Sequence, residues 1–132
     1  MAFHGTNFFS AVLITSKNPE KLYNFYKNVL KFPIEEEQHG ETQKHYGCEM
    51  GDLHFAIHPI ENFEGKTSEV GSIKLAFEVF DIKAFVENLR SHNIEPLYAP
   101  KEMGPMLITA VKDPDGNYLE FTQLGERWME YL

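Results

Sequence analysis

Asp113-Pro114-Asp115-Gly116-Asn117-Tyr118-Leu119-Glu120-Phe121 closes the second of two stretches that carry one pattern twice. The first five residues are turn formers, and Tyr118–Leu124 reads as the returning strand of a hairpin that leaves along Met106–Lys112. Upstream, Ser72–Phe80 is an opening strand. Asp81 caps a helix that sets Ile82, Phe85, Val86 and Leu89 on one face, and Asn93 stands where a left-handed residue ends it. Glu95–Tyr98 is a short strand, and Ala99–Pro105, with two prolines and a glycine, reads as a loop. Its Met103-Gly104-Pro105-Met106 end could serve as a flap. The first copy runs in the same order. A strand over Phe8–Thr15 precedes Asn18 as cap and Pro19 at the first helical position. Leu22, Phe25, Tyr26, Val29 and Leu30 then share one helix face, and Pro33 ends the helix. Strands follow at Ile34–Gln38, Gln43–Met50 and Leu53–His58, with Gly51-Asp52 as the last turn. Two copies of strand, helix and three strands define two matched sheets rather than a solenoid. The reading is one α+β domain over 1–132, with a first module at 8–59, a linker at 60–71, a second module at 72–124 and a tail at 125–132.

Composition narrows the function classes. The chain has 132 residues, 42% of them hydrophobic and 14% aromatic, enough for a real core. Its net charge is −8 with a pI of about 5.2 and no basic cluster, which argues against nucleic acid and anionic membranes as partners. The apolar run Phe8–Ile14 is too short to span a bilayer and has neither the basic flank nor the small-residue cleavage site of a signal peptide. Cys48 is the only cysteine, so neither an intrachain disulfide nor a thiolate zinc cluster can form. A cytoplasmic location is the expectation.

Strand alternation divides each sheet into two faces. Ile73, Leu75, Phe77 and Val79 face the helix layer, as do Leu53, Phe55, Ile57, Leu119, Phe121, Val12 and Ile14. The opposite faces carry Phe9, Ala11, Leu13, His54, Ala56, His58, Lys74, Ala76, Glu78, Glu120 and Thr122. Apolar and small residues among placed polar groups suit the lining of a small-molecule cavity. The expected ligand-binding set is therefore Phe9, Leu13, His54, His58, Lys74, Glu78, Glu120 and Thr122. His54 and His58 lie about 13 Å apart by strand rise, too far to share one ion.

The pattern Asn18-Pro19-Glu20-Lys21-Leu22…Phe25-Tyr26…Val29-Leu30, followed by Asp113-Pro114-Asp115-Gly116-Asn117…Leu119-Glu120, resembles the vicinal oxygen chelate superfamily. That group includes glyoxalase I, extradiol dioxygenases, fosfomycin-resistance enzymes and bleomycin-binding proteins. The resemblance implies a pair of βαβββ modules with helices outside, their sheets curling into an open barrel, and it implies a homodimer. Metal-dependent members hold a divalent cation with side chains from the first and last strands of each module. Those positions fall here on Ala11, His54, Lys74 and Glu120. Only Glu120 matches the enzyme pattern, because alanine has no donor atom and Lys74 carries a positive charge where the cation would be. The resemblance thus implies a small-molecule binder with an incomplete metal site, no cofactor, and Lys74 paired with Glu120 in place of the metal. The alternative is a metal-dependent lyase, isomerase or dioxygenase using His54 and Glu120, or the same two residues as acid and base without metal.

The other polar residues have plainer readings. His4, His39, His45 and His92 are expected at the surface, and Cys48 as a small buried side chain. Glu35-Glu36-Glu37 reads as a solvated edge that discourages strand pairing. Trp128 and Tyr131 in the tail are expected to dock on the barrel or on a second copy of the chain.

Overall fold

The computed structural model describes residues 9–38, 44–62 and 75–124. Its elements run β1 (Ala11–Ser16), α1 (Pro19–Asn24), β2 (Glu35–Glu37), β3 (His45–Met50), β4 (Leu53–Pro59), β5 (Leu75–Glu78), α2 (Ile82–Ser91), β6 (Tyr98–Met103), β7 (Met106–Lys112) and β8 (Tyr118–Leu124). Two βαβββ modules follow, which makes the chain an α+β protein of the expected kind. Each module owns one four-stranded mixed sheet, ordered β1-β4-β3-β2 in the first and β5-β8-β7-β6 in the second. In both, the first strand lies parallel to the last and the remaining pairs are antiparallel. The chain divides into two compact units built around these modules.

In the first unit, the Asn18 side chain accepts the Lys21 N–H at 3.3 Å, and Pro19 fills the first turn, where no N–H partner is needed. The helix widens into a π-helical turn at Phe25–Val29. Lys31, at φ 62°, ends the helical run two residues before Pro33, and the Phe32 N–H reaches back to the Tyr26 carbonyl at 2.9 Å. Leu22 and Tyr26 are fully buried. Tyr26 and Phe32 pack against Phe55, with ring centroids 5.2 and 5.3 Å away, and Tyr23 stacks on Tyr46 at 4.1 Å. These contacts fix Val12, Ile14, Tyr46, Cys48, Phe55 and Ile57 on the helix side of the sheet.

In the second unit, Asp81 Oδ1 accepts the Ala84 N–H at 3.1 Å, and Asn93 takes the left-handed φ of 62° expected of it. Ile82, Val86 and Leu89 are buried, and Phe85 packs on Phe121 at 4.2 Å. The loop read at Ala99–Pro105 is instead strand β6 and a tight turn. Gly104 has φ 58°, and Met103 pairs directly with Met106, so the flap is a two-residue hairpin. Pro100 fits because β6 is an edge strand, with a register shift between Tyr98 and Lys101. The Asp113–Asn117 turn is tied by its own first side chain. Asp113 Oδ1 accepts the Asp115 and Asn117 N–H groups, both at 2.9 Å, and Oδ2 accepts Asn117 Nδ2 at 2.8 Å. Among the described residues, no helix is long and apolar enough to cross a membrane.

Candidate functional site

The helix-free face of the first sheet is built in rows by its register. Ala11 stands opposite His54, and His54 opposite Glu49. The next row is Leu13, Ala56, Gly47 and Glu35, and beyond it Glu37 pairs with His45. The polar side chains of the outer rows close over the small central one, leaving Ala56 only 1% exposed. His54 Nδ1 lies 2.7 Å from Glu49 Oε1. An exposed carboxylate accepts, so the ring donates from Nδ1. His45 Nε2 lies 3.1 Å from Glu37 Oε2, and the His45 ring stacks on His58 at 4.3 Å with 9° between planes. Burial lowers the His58 pKa, and the neighbouring His45 adds to the shift against an opposing pull from Glu37. Gly47 makes the arrangement possible. A side-chain carbon there would sit 2.9 Å from Glu37 Oε1 and 3.0 Å from His54 Nε2.

The corresponding face of the second sheet has different chemistry. Ala76 pairs with Glu120, Glu120 with Ala110, and Ala110 with Tyr98. Ala110 and Ile108 form a buried floor. The Tyr98 and Tyr118 hydroxyls lie 3.4 Å apart, and Lys101 Nζ sits 4.5 Å from the centroid of the Tyr98 ring. Burial, the hydrogen bond to Tyr118 and the charge of Glu120 push the Tyr98 pKa up to about 12. Thr122 Oγ1 donates to the Phe77 carbonyl at 3.4 Å, and Glu78 is exposed.

Residues 9–121 match the family model of the Glyoxalase/Bleomycin resistance protein/Dioxygenase superfamily. The chain belongs to this superfamily. Solved structures repeat its fold at low identity. A virulence protein from Salmonella typhimurium is 24% identical, with a TM-score of 0.70 over 90% of this chain and 98% of that one. TnmS3, an antibiotic binding protein from Streptomyces sp. CB03234, is 17% identical with a TM-score of 0.70, covering 93% and 100%. A glyoxalase/bleomycin resistance protein/dioxygenase from Nocardioides is 16% identical with a TM-score of 0.73, covering 94% and 87%. No curated protein matches the chain.

Three of the superfamily's metal positions, Ala11, His54 and Glu120, lie on these faces. At the two positions that bear donors and are described, His54 and Glu120, the partner on the parallel strand is an alanine, Ala11 or Ala76. Among the described residues, no group of three or more His, Cys, Asp or Glu side chains is arranged to hold a metal ion. Lys74 and its expected pairing with Glu120 lie outside the described residues, as do His4, His39, Trp128 and Tyr131.

Of the expected ligand-binding set, Leu13, His54 and His58 share the first face, and Glu78, Glu120 and Thr122 the second. Phe9 precedes β1 and is 72% exposed. His45 is not at the surface as expected but 7% exposed, because Glu37 and His58 cover its ring. Glu35 and Glu36 behave as an exposed edge, paired with Lys27 and Lys44, whereas Glu37 turns onto the sheet. Cys48 is buried, as expected, and burial raises its thiol pKa, which disfavours the reactive thiolate. The sequence reading also passed over Gly47, Glu49, Tyr98, Lys101 and Tyr118. Hairpin arithmetic could have found several of them. A two-residue turn at Gly51-Asp52 sets Met50 opposite Leu53, which brings Glu49 to His54 and Gly47 to Ala56.

Proposed function

We propose that this chain is a small-molecule-binding protein of the bleomycin-resistance kind, working in the cytoplasm as a homodimer and without a bound metal. The carrying observation is that His54 stands opposite Ala11, itself one of the superfamily's ligand positions. A metal bound beside His54 would lack the neighbouring donor that the superfamily's enzymes supply. Lys74, by its place in the sequence, would supply the positive charge that Glu120 otherwise takes from the ion. The likeness to an antibiotic binding protein agrees with this reading. A mixed lining of tyrosine, alanine, isoleucine and a few charges suits an organic ligand held by contact and one or two hydrogen bonds.

The second reading, a metal-dependent lyase, isomerase or dioxygenase, draws on one feature. His54 donates its far nitrogen to Glu49, as metal-bound histidines commonly do to a carboxylate. Calorimetric titration with Zn²⁺ and Ni²⁺ separates the two. The wild type is expected to bind neither appreciably. The double change Ala11→His with Lys74→His should gain binding, because the resemblance counts both positions among the superfamily's ligands and the change removes a repelling charge. About one metal ion per wild-type chain, lost on Glu120→Ala, would overturn the binder reading. Equal, negligible binding by the folded double variant would overturn the role given to Lys74.

A further inference from the structure

Glu37 on β2 pairs with His45 on β3, and His58 on β4 pairs with Thr15 on β1. Between these pairs the two imidazoles lie face to face, 4.3 Å apart with 9° between their planes, so one row of side chains crosses the first sheet. Such a stack holds two neutral rings, or one neutral ring and one protonated. Two imidazolium rings in it would set like charges at that separation, and His45 is only 7% exposed, so little water screens them. Glu37 Oε2 sits 3.1 Å from His45 Nε2, so one proton on the pair is stabilised at His45. The second proton must then go to His58. Burial and the neighbouring His45 hold the His58 pKa below its ordinary 6.5, against an opposing pull from Glu37. His58 is half-exposed near the end of β4, so its ring has water to turn into, which the buried His45 ring does not.

We propose that the Glu37–His45–His58 row is an acid-operated switch in the first sheet: with no proton or one proton on the pair the rings stay stacked, and with two His58 turns off His45 toward water. The other charged groups around the stack do not undo this. On β2, Glu35 is engaged with Lys27 and Glu36 with Lys44, both in exposed pairs. On β3, Glu49 is engaged with His54 of β4, and His54 adds its own weaker opposition to charge on His58. Strand β1 brings Ala11, Leu13 and Thr15 to this face, and none of them titrates between neutral and mildly acidic pH. The helix α1 packs on the opposite face through Tyr23 and the turn after it through Tyr26. Among the described residues, Glu37 is the anion that favours charge on His58, and one carboxylate offsets one proton rather than two. The switch alters the charge and shape of the face that the small-molecule reading gives to the ligand, and it rests on that reading for its use. A ligand on this face meets a neutral, stacked His58 at neutral pH and a cationic, turned one in acid.

The test is a pH titration of the ligand-free, ¹⁵N-labelled full-length chain, followed by NMR of the histidine rings from about pH 8 to about pH 5. Ring-to-ring Overhauser contacts between His45 and His58 should be present at the upper end. They should be lost over the range in which the second of the two rings takes its proton, while the Phe55 and Ile57 amides on the helix side of the sheet keep their folded positions. In Glu37→Gln the loss should shift to lower pH, because no carboxylate holds the first proton on His45. In His45→Gln, His58 should titrate in a single step closer to its ordinary value. Glu95→Gln, which removes the same charge from an exposed pair with Arg90 in the second unit, should leave the transition where it is. Contacts that persist with both rings protonated would overturn the switch, as would a loss at the same pH in Glu37→Gln and the wild type. A loss that comes only with collapse of the Phe55 and Ile57 signals would mark global unfolding and overturn it too. The wild-type titration and His45→Gln keep the test decisive if Glu37→Gln does not fold. No ligand is present in any of these measurements, so failure of the switch is distinct from failure of the small-molecule reading, which the metal titrations address.

Discussion

Asp113→Ala should be among the more damaging single changes available outside the hydrophobic core. The side chain is 5% exposed and accepts three hydrogen bonds, two from backbone N–H groups and one from the Asn117 amide. Each bond to a charged acceptor contributes about 1.5–3 kcal/mol net. The three share one carboxylate, and Asp115 and Asn117 are half-exposed, so water recovers part of the loss. A cost of about 3 kcal/mol follows, or a fall in Tm on the order of 10 °C for a chain of this size. Asp113→Asn keeps an oxygen for the two backbone donors and loses mainly the bond to Asn117 Nδ2, so it should cost about 1 kcal/mol. The turn also sets the register that pairs Lys112 with Tyr118 and thereby Ala110 with Glu120. The alanine variant should accordingly perturb the Glu120 and Thr122 amides more than those of β5. Urea unfolding followed by circular dichroism, with amide spectra of the folded variants, provides the measurement. An alanine variant within about 1 kcal/mol of wild type, or an asparagine variant just as damaged, would refute the view that the carboxylate ties the turn.

Two pH dependences follow from the faces. The His58 pKa is lowered on folding, so the unfolded chain binds the extra proton more readily; stability is complete above about 6.5 and declines as the pH falls through the lowered folded value. The urea midpoint of the wild type should drop more between pH 7.5 and pH 5 than that of His58→Gln, and parallel curves would contradict the assignment. Tyr98 has the opposite edge. With its folded pKa at about 12, stability should decline as the pH rises from about 10, where the unfolded tyrosine ionises, toward 12. Ultraviolet titration of tyrosinate should show a late-ionising component that moves down in Tyr118→Phe, and an unmoved component would detach Tyr98 from Tyr118.

The fold was legible because its signals are local. The caps Asn18 and Asp81, the glycine turn at Gly51 and the alternating strands each act within a few residues, and each stands where the sequence suggests. The π-helical turn at Phe25–Val29 was not legible, because spacings of three and four residues bury the same side chains whether or not one turn widens. The strand β6 was hidden by Pro100, Gly104 and Pro105, which are loop residues by composition and are tolerated here by an edge strand and its turn. The site was harder for a different reason. Glu37 meets His45 only through the β2–β3 pairing, and the intervening connection carries no turn signal that fixes its length in register. Alternation tells which face a residue takes but not which neighbour it meets across strands.

That difference also bears on what the duplication has done. Both modules pair the first strand with the last in parallel, and both set an alanine beside the polar residue at the superfamily's ligand position. Beyond that row they part. The first face surrounds its small floor of Gly47 and Ala56 with imidazoles and carboxylates in mutual contact, and the second surrounds Ala110 with tyrosines, Lys101 and Glu120. Neither Ala11 nor Ala76 offers a donor atom beside its polar neighbour. The Ala11→His change sets an imidazole opposite His54 and should therefore trade an organic-ligand surface for a metal site rather than add one to the other.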